Sequence, residues 1–507
     1  MLKRNLTANA MGAVWQALMS VAFIPWYLQY LGDEAFGVVG LAASIQACMT
    51  ALDLGLRPMM SREMARFAAG TQTDRELRSL LRVVELATYT MALVFTIMVA
   101  LSATWVSERW LRPQSIPPQD VAQAIRVMAL SVGLRFVEGL YLGCLDGFQR
   151  QVLSNSLNSL TATVRGLGAV GVLAWWSPTL GAFFAWQAIA STVSLLVVTH
   201  VAYRIMPRGV ASIRVGLLRL ATLWRFAAGT AIGGYLTLIL GQADRVLLSH
   251  FLELQDYGRY VVAATAASIV RVAVAPVMQA YYPRFSALHA TGLPNATVDA
   301  FHRASQLVSA ISSGTAITLF VFPSEVVYLW TGDPELAASL IPTLRVLATA
   351  AMLHMLCIPC YYLRLAIGDT RTWNGVSLLA VVIVVPMMIL LVPKFGLVGG
   401  ATGWLGTTIG FATVGVWLSL STVPTLSPRS WLVRDVLPPT LGAVVVCGMC
   451  KLTSALLVPT GRAETAILLT VTLVGSIATA GLTLHFVRET LRRVLRRLPV
   501  ATLFHRG

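Results

Sequence analysis

Charge is scarce in this sequence. Only 12% of its 507 residues are Asp, Glu, Lys or Arg, about half the share of an ordinary soluble domain. Acidic residues are scarcer still, 22 against 38 basic ones. Mean hydropathy is +0.72. These shortages exclude a soluble enzyme. Cysteine is sparse too: Cys48, Cys144, Cys357, Cys360, Cys447 and Cys450. The last four form two C-x-x-C pairs. Each pair lies in an apolar run without a histidine-rich or polar shell, so buried thiols are expected rather than a metal or redox site. No P-loop, no H-E-x-x-H and no Rossmann glycine pattern is present. The outer loops leave no room for a catalytic domain, so neither enzymatic activity nor a cofactor is expected. No cleavable leader is expected either, because the apolar run after Arg4 is too long for one.

What is there in abundance is apolar helix. A spanning helix needs about 20 mostly apolar residues. Fourteen stretches qualify: 7–29, 36–56, 83–105, 122–144, 152–174, 180–203, 224–249, 258–281, 303–323, 338–362, 373–393, 396–420, 433–456 and 464–486. With an even count both termini fall on one side. Placing them in the cytoplasm puts about 24 basic residues on inner segments and 5 on outer ones, the bias of a cytoplasmic-membrane protein. That bias absorbs most of the net charge of +16 without nucleic acid as a partner. The tail RETLRRVLRRLPVATLFHRG (488–507) is expected to lie along the inner surface against anionic lipid heads.

The two halves echo each other. Leu31-Gly32-Asp33-Glu34-Ala35-Phe36-Gly37 corresponds to Leu252-Glu253-Leu254-Gln255-Asp256-Tyr257-Gly258 at a shift of 221. At that same shift Gly147-Phe148-Gln149-Arg150 falls on Gly368-Asp369-Thr370-Arg371. Arg62 matches Arg284 at a shift of 222, and Gly181 and Trp186 match Gly399 and Trp404 at 218. Six helices per repeat give both halves one orientation. The expected architecture is therefore all-α and integral to the membrane. It has two pseudo-symmetric six-helix lobes (1–222 and 223–428) and a pair of C-terminal helices with the tail (429–507).

The ordered set of Pro25, YLGDEAFG (30–37), GL (40–41), LDLGL (52–56), SREMAR (61–66), GFQRQ (147–151) and KFGLVGGATGW (394–404) resembles a known group. These are the polysaccharide-type flippases, the Wzx-like O-antigen translocases of the multidrug/oligosaccharidyl-lipid/polysaccharide exporter superfamily. The resemblance covers the first twelve helices in layout and is most specific in residues 5–66. It implies two lobes facing a central cavity and a substrate of undecaprenyl-diphosphate-linked oligosaccharide. Alternating access coupled to an ion gradient is the expected mode of action, with other polysaccharide-assembly proteins as expected partners. Two relatives of the same fold stay open as alternatives, a drug/cation antiporter and a lipid II flippase. A membrane glycosyltransferase would need larger outer loops.

Ionisable residues at membrane depth are costly, about 2.5–3.5 kcal/mol on insertion scales, so each needs a partner or a polar cavity. Tyr260, Ala264, Ala267 and Arg271 recur on one helical face. Arg271 is the leading candidate to grip a diphosphate, with a carboxylate partner on another helix as the plain alternative. Arg165 has no acidic neighbour in sequence and is a second cavity candidate. Arg135 and Glu138, three residues apart, are expected to pair within their helix, with a cavity pair that breaks when substrate or a cation arrives as the alternative; both, with Tyr260, count as candidate cavity residues. Asp53, Asp244 and His354 are the candidates for ion coupling. The plainer expectations are that Asp53 pairs with Arg57 or anchors a neighbouring loop, and that His354 is structural.

Overall fold

This computed structural model describes residues 2–51, 53, 55–207, 209–421, 423, 425–456 and 461–483. Nearly all of them are helical, and no strand occurs among the described residues. A chain this apolar must satisfy its backbone within each segment, and in lipid an α-helix does so. The expected basic tail lies outside the described residues.

The chain divides into two compact units, Met1–Val261 and Val262–Gly507. The first contains α1 (Leu2–Ala22), α2 (Ile24–Ala51), α3 (Leu56–Ala68), α4 (Asp74–Trp105), α5 (Pro118–Gly147), α6 (Gln151–Trp175), α7 (Leu180–Ile205), α8 (Ile213–Phe251) and the start of α9 (Leu254–Ala267). Local chemistry sets several boundaries. Thr73 and Glu76 form a reciprocal capping box at the start of α4, satisfying two amides that the first turn leaves open. Gly55, at φ 77°, turns the chain into α3, and Gly32, at φ 79°, interrupts α2. Residues with a Cβ rarely adopt either conformation. α5 is the buried centre of the unit and packs against α4 and α7. α4 turns Leu86, Leu93, Val94, Ile97 and Leu101 outward, the apolar surface that acyl chains solvate.

The second unit continues with α10 (Ile269–Ala290), α11 (Pro294–Val321), α12 (Pro323–Thr331), α13 (Pro334–Ser339), α14 (Ile341–Ile367), α15 (Arg371–Gly410), α16 (Val416–Ser421), α17 (Pro428–Trp431), α18 (Leu437–Leu456) and α19 (Arg462–Leu482). α11 is its centre and packs against α10, α14, α18 and α19. A π-helical turn, Leu432–Val436, leads into α18 and carries a fully buried carboxylate, Asp435. Its Oδ2 lies 2.5 Å from Nδ1 of His302, and its Oδ1 accepts from Nε2 of Gln306 at 2.9 Å. Both partners stand on α11, so this cluster pins the C-terminal helices to the centre of their unit.

Among the described residues ten helices are long and apolar enough to cross a membrane, or eleven if the bent pair Thr7–Ala22 and Ile24–Thr50 is one span. Fourteen crossings are therefore not established by the structure. One of the ten, Arg371–Ser421, runs for 51 residues. At 1.5 Å per residue that is about 77 Å, well over twice the roughly 30 Å hydrocarbon core. It is interrupted at Gly396, with φ 56° and ψ −131°, between the stretches 373–393 and 396–420 expected as separate helices.

A polar hollow and a buried ion pair in the first unit

A polar stripe runs along α6. Gln151, Asn155, Asn158 and Arg165 recur at helical spacing and share one face, with the small Ala162 between the last two. On α1, Asn9, Gln16 and Ser20 do the same. α1 packs against α6, and the two stripes border a hollow of about 450 Å³. Nδ2 of Asn9 donates to Oε1 of Gln151 at 2.9 Å. Nδ2 of Asn155 donates to Oδ1 of Asn9 at 2.6 Å and to the carbonyl of Gln151 at 2.8 Å. Ser154 and Asn158 of α6, Gln16 of α1, and Leu142 and Asp146 of α5 complete most of the lining.

The remaining wall is Arg57 at the start of α3. Its Nη2 lies 3.5 Å from Oδ2 of Asp146, and its stem lies over Gly143 of α5. Of the plain expectations for Asp53, the ion pair with the Arg57 guanidinium is not formed, and the carboxylate acts as a local anchor instead. Its Oδ2 accepts the backbone N–H of Arg57 at 3.0 Å and ties down the first turn of α3. The guanidinium is left to Asp146.

Farther along the same faces lies a second cluster. Nη2 of Arg165 lies 3.1 Å from Oε2 of Glu138, and both side chains are largely buried. The hydroxyl of Ser194 on α7 donates to the other oxygen of Glu138 at 2.6 Å. The indole of Trp186 donates to the Arg165 carbonyl at 3.2 Å. This corrects two expectations. Arg165 does have an acidic partner, supplied by the neighbouring helix. Arg135 and Glu138 do not pair, because Glu138 is engaged across the helix interface. Arg135 is exposed on a helix whose adjacent residues Phe136, Val137 and Glu138 are buried. It makes no ion pair or hydrogen bond among the described residues. Nε of Arg165 has no partner among them either. The cluster thus carries two guanidiniums and one carboxylate, a net positive charge. A helix rises 1.5 Å per residue, so Arg135 and Arg165, each seven residues from Leu142 and Asn158 respectively, stand about 10 Å beyond the hollow.

The other candidates are placed as follows. Tyr260 is fully buried, and its hydroxyl donates to Oδ2 of Asp244 at 2.7 Å. Oδ1 of Asp244 has no partner among the described residues. Arg271 is exposed on α10, in the second unit. His354 stands on α14 of that unit, and its ring packs against Trp404 and Phe411, with centroids 5.6 and 5.9 Å away. Sequence reasoning missed Glu85, buried on α4 and accepting the hydroxyls of Tyr141 and Tyr203 at 3.0 and 2.6 Å. It also missed the hollow itself, which the periodic Asn and Gln residues of α6 announce.

Residues 2–289 match the family described as Polysaccharide biosynthesis protein. A Shigella flexneri protein named as a candidate O-antigen transporter is 21% identical over 421 residues, 82% of this chain and 97% of that protein. Among solved structures, the lipid II flippase MurJ in an inward closed conformation superposes with a TM-score of 0.69 at 13% identity, covering 94% of this chain and 99% of that one. An inward-facing multidrug resistance transporter of the MATE family and MOP superfamily gives 0.65 at 15% identity, covering 80% and 94%. These two likenesses speak for the fold.

Proposed function

The chain belongs to the polysaccharide biosynthesis protein family, and from that premise we propose that it flips undecaprenyl-diphosphate-linked oligosaccharide across the cytoplasmic membrane by alternating access. The family and the proteins it resembles are transporters, and the chain is a multi-pass membrane protein. The finer reading is ours: fourteen crossings, lobes 1–222 and 223–428, termini in the cytoplasm and coupling to an ion gradient. One observation carries the substrate class. Arg135 makes no ion pair among the described residues and shares the single Glu138 carboxylate with Arg165, next to a neutral polar hollow. A guanidinium held there without a carboxylate of its own is costly unless an anion visits it, and its planar fork of donors suits a diphosphate. Arg271 remains a second anion ligand in this proposal, and Asp244, whose Oδ1 has no partner among the described residues, the leading coupling site. A drug/cation antiporter would need free carboxylates facing the hollow, whereas Glu138 and Asp146 are both paired with arginines.

The test is transport by purified protein in liposomes, together with complementation of a strain lacking its flippase. A hydrogen bond to a charged group is worth about 1.5–3 kcal/mol, so Arg135→Gln should cut transport about 10- to 100-fold, with Arg135→Lys intermediate. Wild-type protein that moves no polyprenyl-diphosphate glycan, with surface glycan intact after gene loss, would refute the reading.

A further inference from the structure

We propose that the hollow between α1 and α6 is a saccharide subsite that reads neutral sugar hydroxyls through carboxamides, separate from the guanidiniums that take the diphosphate. This rests on the flippase reading and deepens it.

Three observations carry the inference. First, the lining has no net charge. Arg57 and Asp146 neutralise each other, and the other polar lining groups are amides and one serine. Such a wall does not attract an anion or a cation. It fits a ligand whose polar groups both donate and accept, as carboxamides themselves do. Sugar hydroxyls have that character.

Second, part of the amide set is fixed and part is open. Asn9 spends both ends of its amide on Gln151 and Asn155. Asn155 is further held by the Gln151 carbonyl and lies flat against Gly12, where an added Cβ would come within 2.8 Å of its Cγ. These bonds settle how each amide is turned. Gln16 and Asn158 make no hydrogen bond among the described residues, although both line the hollow. A rigid amide floor with unspent amides beside it is pre-organised to bind.

Third, the spacing fits one ligand with two kinds of head. The guanidiniums stand about 10 Å along the same helix faces, so a molecule with a diphosphate at one end and sugars at the other can engage both. The volume of about 450 Å³ lies in the range of small-molecule sites.

The experiment uses full-length protein in liposomes and two probes. One is undecaprenyl diphosphate carrying the complete repeat unit of the producing cells, and the other carries a single N-acetylhexosamine. Loss of a neutral hydrogen bond weakens recognition about 2- to 10-fold. Gln16→Ala and Asn158→Ala should therefore lower the rate for the complete unit by that factor and leave the single-sugar rate unchanged. Gly12→Ala, which displaces Asn155, should do the same, with the thermal midpoint of each variant confirming a folded protein. Rates unchanged for both probes, or falling in parallel for both, would overturn the saccharide subsite while leaving the flippase reading in place. Wild-type protein that moves neither probe would overturn the flippase reading, and this inference with it.

Discussion

Asp369 occupies the turn between α14 and α15, outside either helix. Its Oδ2 accepts the Thr372 hydroxyl at 2.7 Å, its Oδ1 accepts the Thr372 amide at 3.2 Å, and Nη2 of Arg364 lies 2.9 Å away. The Thr372 hydroxyl, followed by the Thr372 amide and the Arg364 charge, holds this carboxyl below its ordinary 3.8. A depressed carboxylate contributes stability that is fully present above its unfolded value and lost as pH falls through the folded one. Asp369→Asn should therefore lower the thermal midpoint at neutral pH, and the gap to wild type should close as pH falls below 3.8. The partnering of Glu138 shows where residue-level reading ends. Arg135 sits three positions away and looks like its partner in sequence. The actual partner, Arg165, comes from another helix and shares its burial. Choice of partner for a buried carboxylate is a tertiary matter, because the desolvation that makes pairing obligatory arises only when helices pack.

Between elements, two glycines meet their counterparts in the repeated motif. A Cβ on Gly37 of α2 would come 2.6 Å from the carbonyl of Leu254 on α9, and one on Gly258 would strike the carbonyl of Asp33. At the shift of 221, Asp33 corresponds to Leu254 and Gly37 to Gly258, so the contact is reciprocal. Arg259 reinforces it with an ion pair to Asp33 at 3.0 Å. A backbone carbonyl gives way less easily than a side chain, so Gly258→Ala should destabilise by about 1–3 kcal/mol. Gly375→Ala, where the space is open, should be neutral or stabilising. Thermal unfolding in detergent compares the two. The helical character and the breaks at Gly32 and Gly396 are legible in the sequence, because apolar length and glycine are local signals. The hollow is not legible in the same way, because its walls come from α1, α3, α5 and α6, and no single stretch of sequence displays that convergence.

Over the molecule as a whole, charge sets orientation. The bias of about 24 basic residues to 5 predicts that the loops after Ile205 and Ile367 lie in the cytoplasm. Reporter fusions there should be active inside the cell, and fusions at Arg112 or Lys394 outside it. The opposite pattern would overturn the proposed cytoplasmic location of the termini. Within the first unit, α6 works as a ruler across the bilayer. Trp175 and Trp176 at its end are 91% and 82% exposed, as expected of indoles resting at the boundary of lipid and water. Counting back at 1.5 Å per residue, Arg165 lies about 15 Å below that boundary and Asn158 about 25 Å. In a core about 30 Å thick, that count puts the Arg165 guanidinium near the centre of the bilayer and Asn158 just inside its far boundary. If the proposed substrate enters from that far side, its sugars would meet the unspent amide of Asn158 at the very edge of the water.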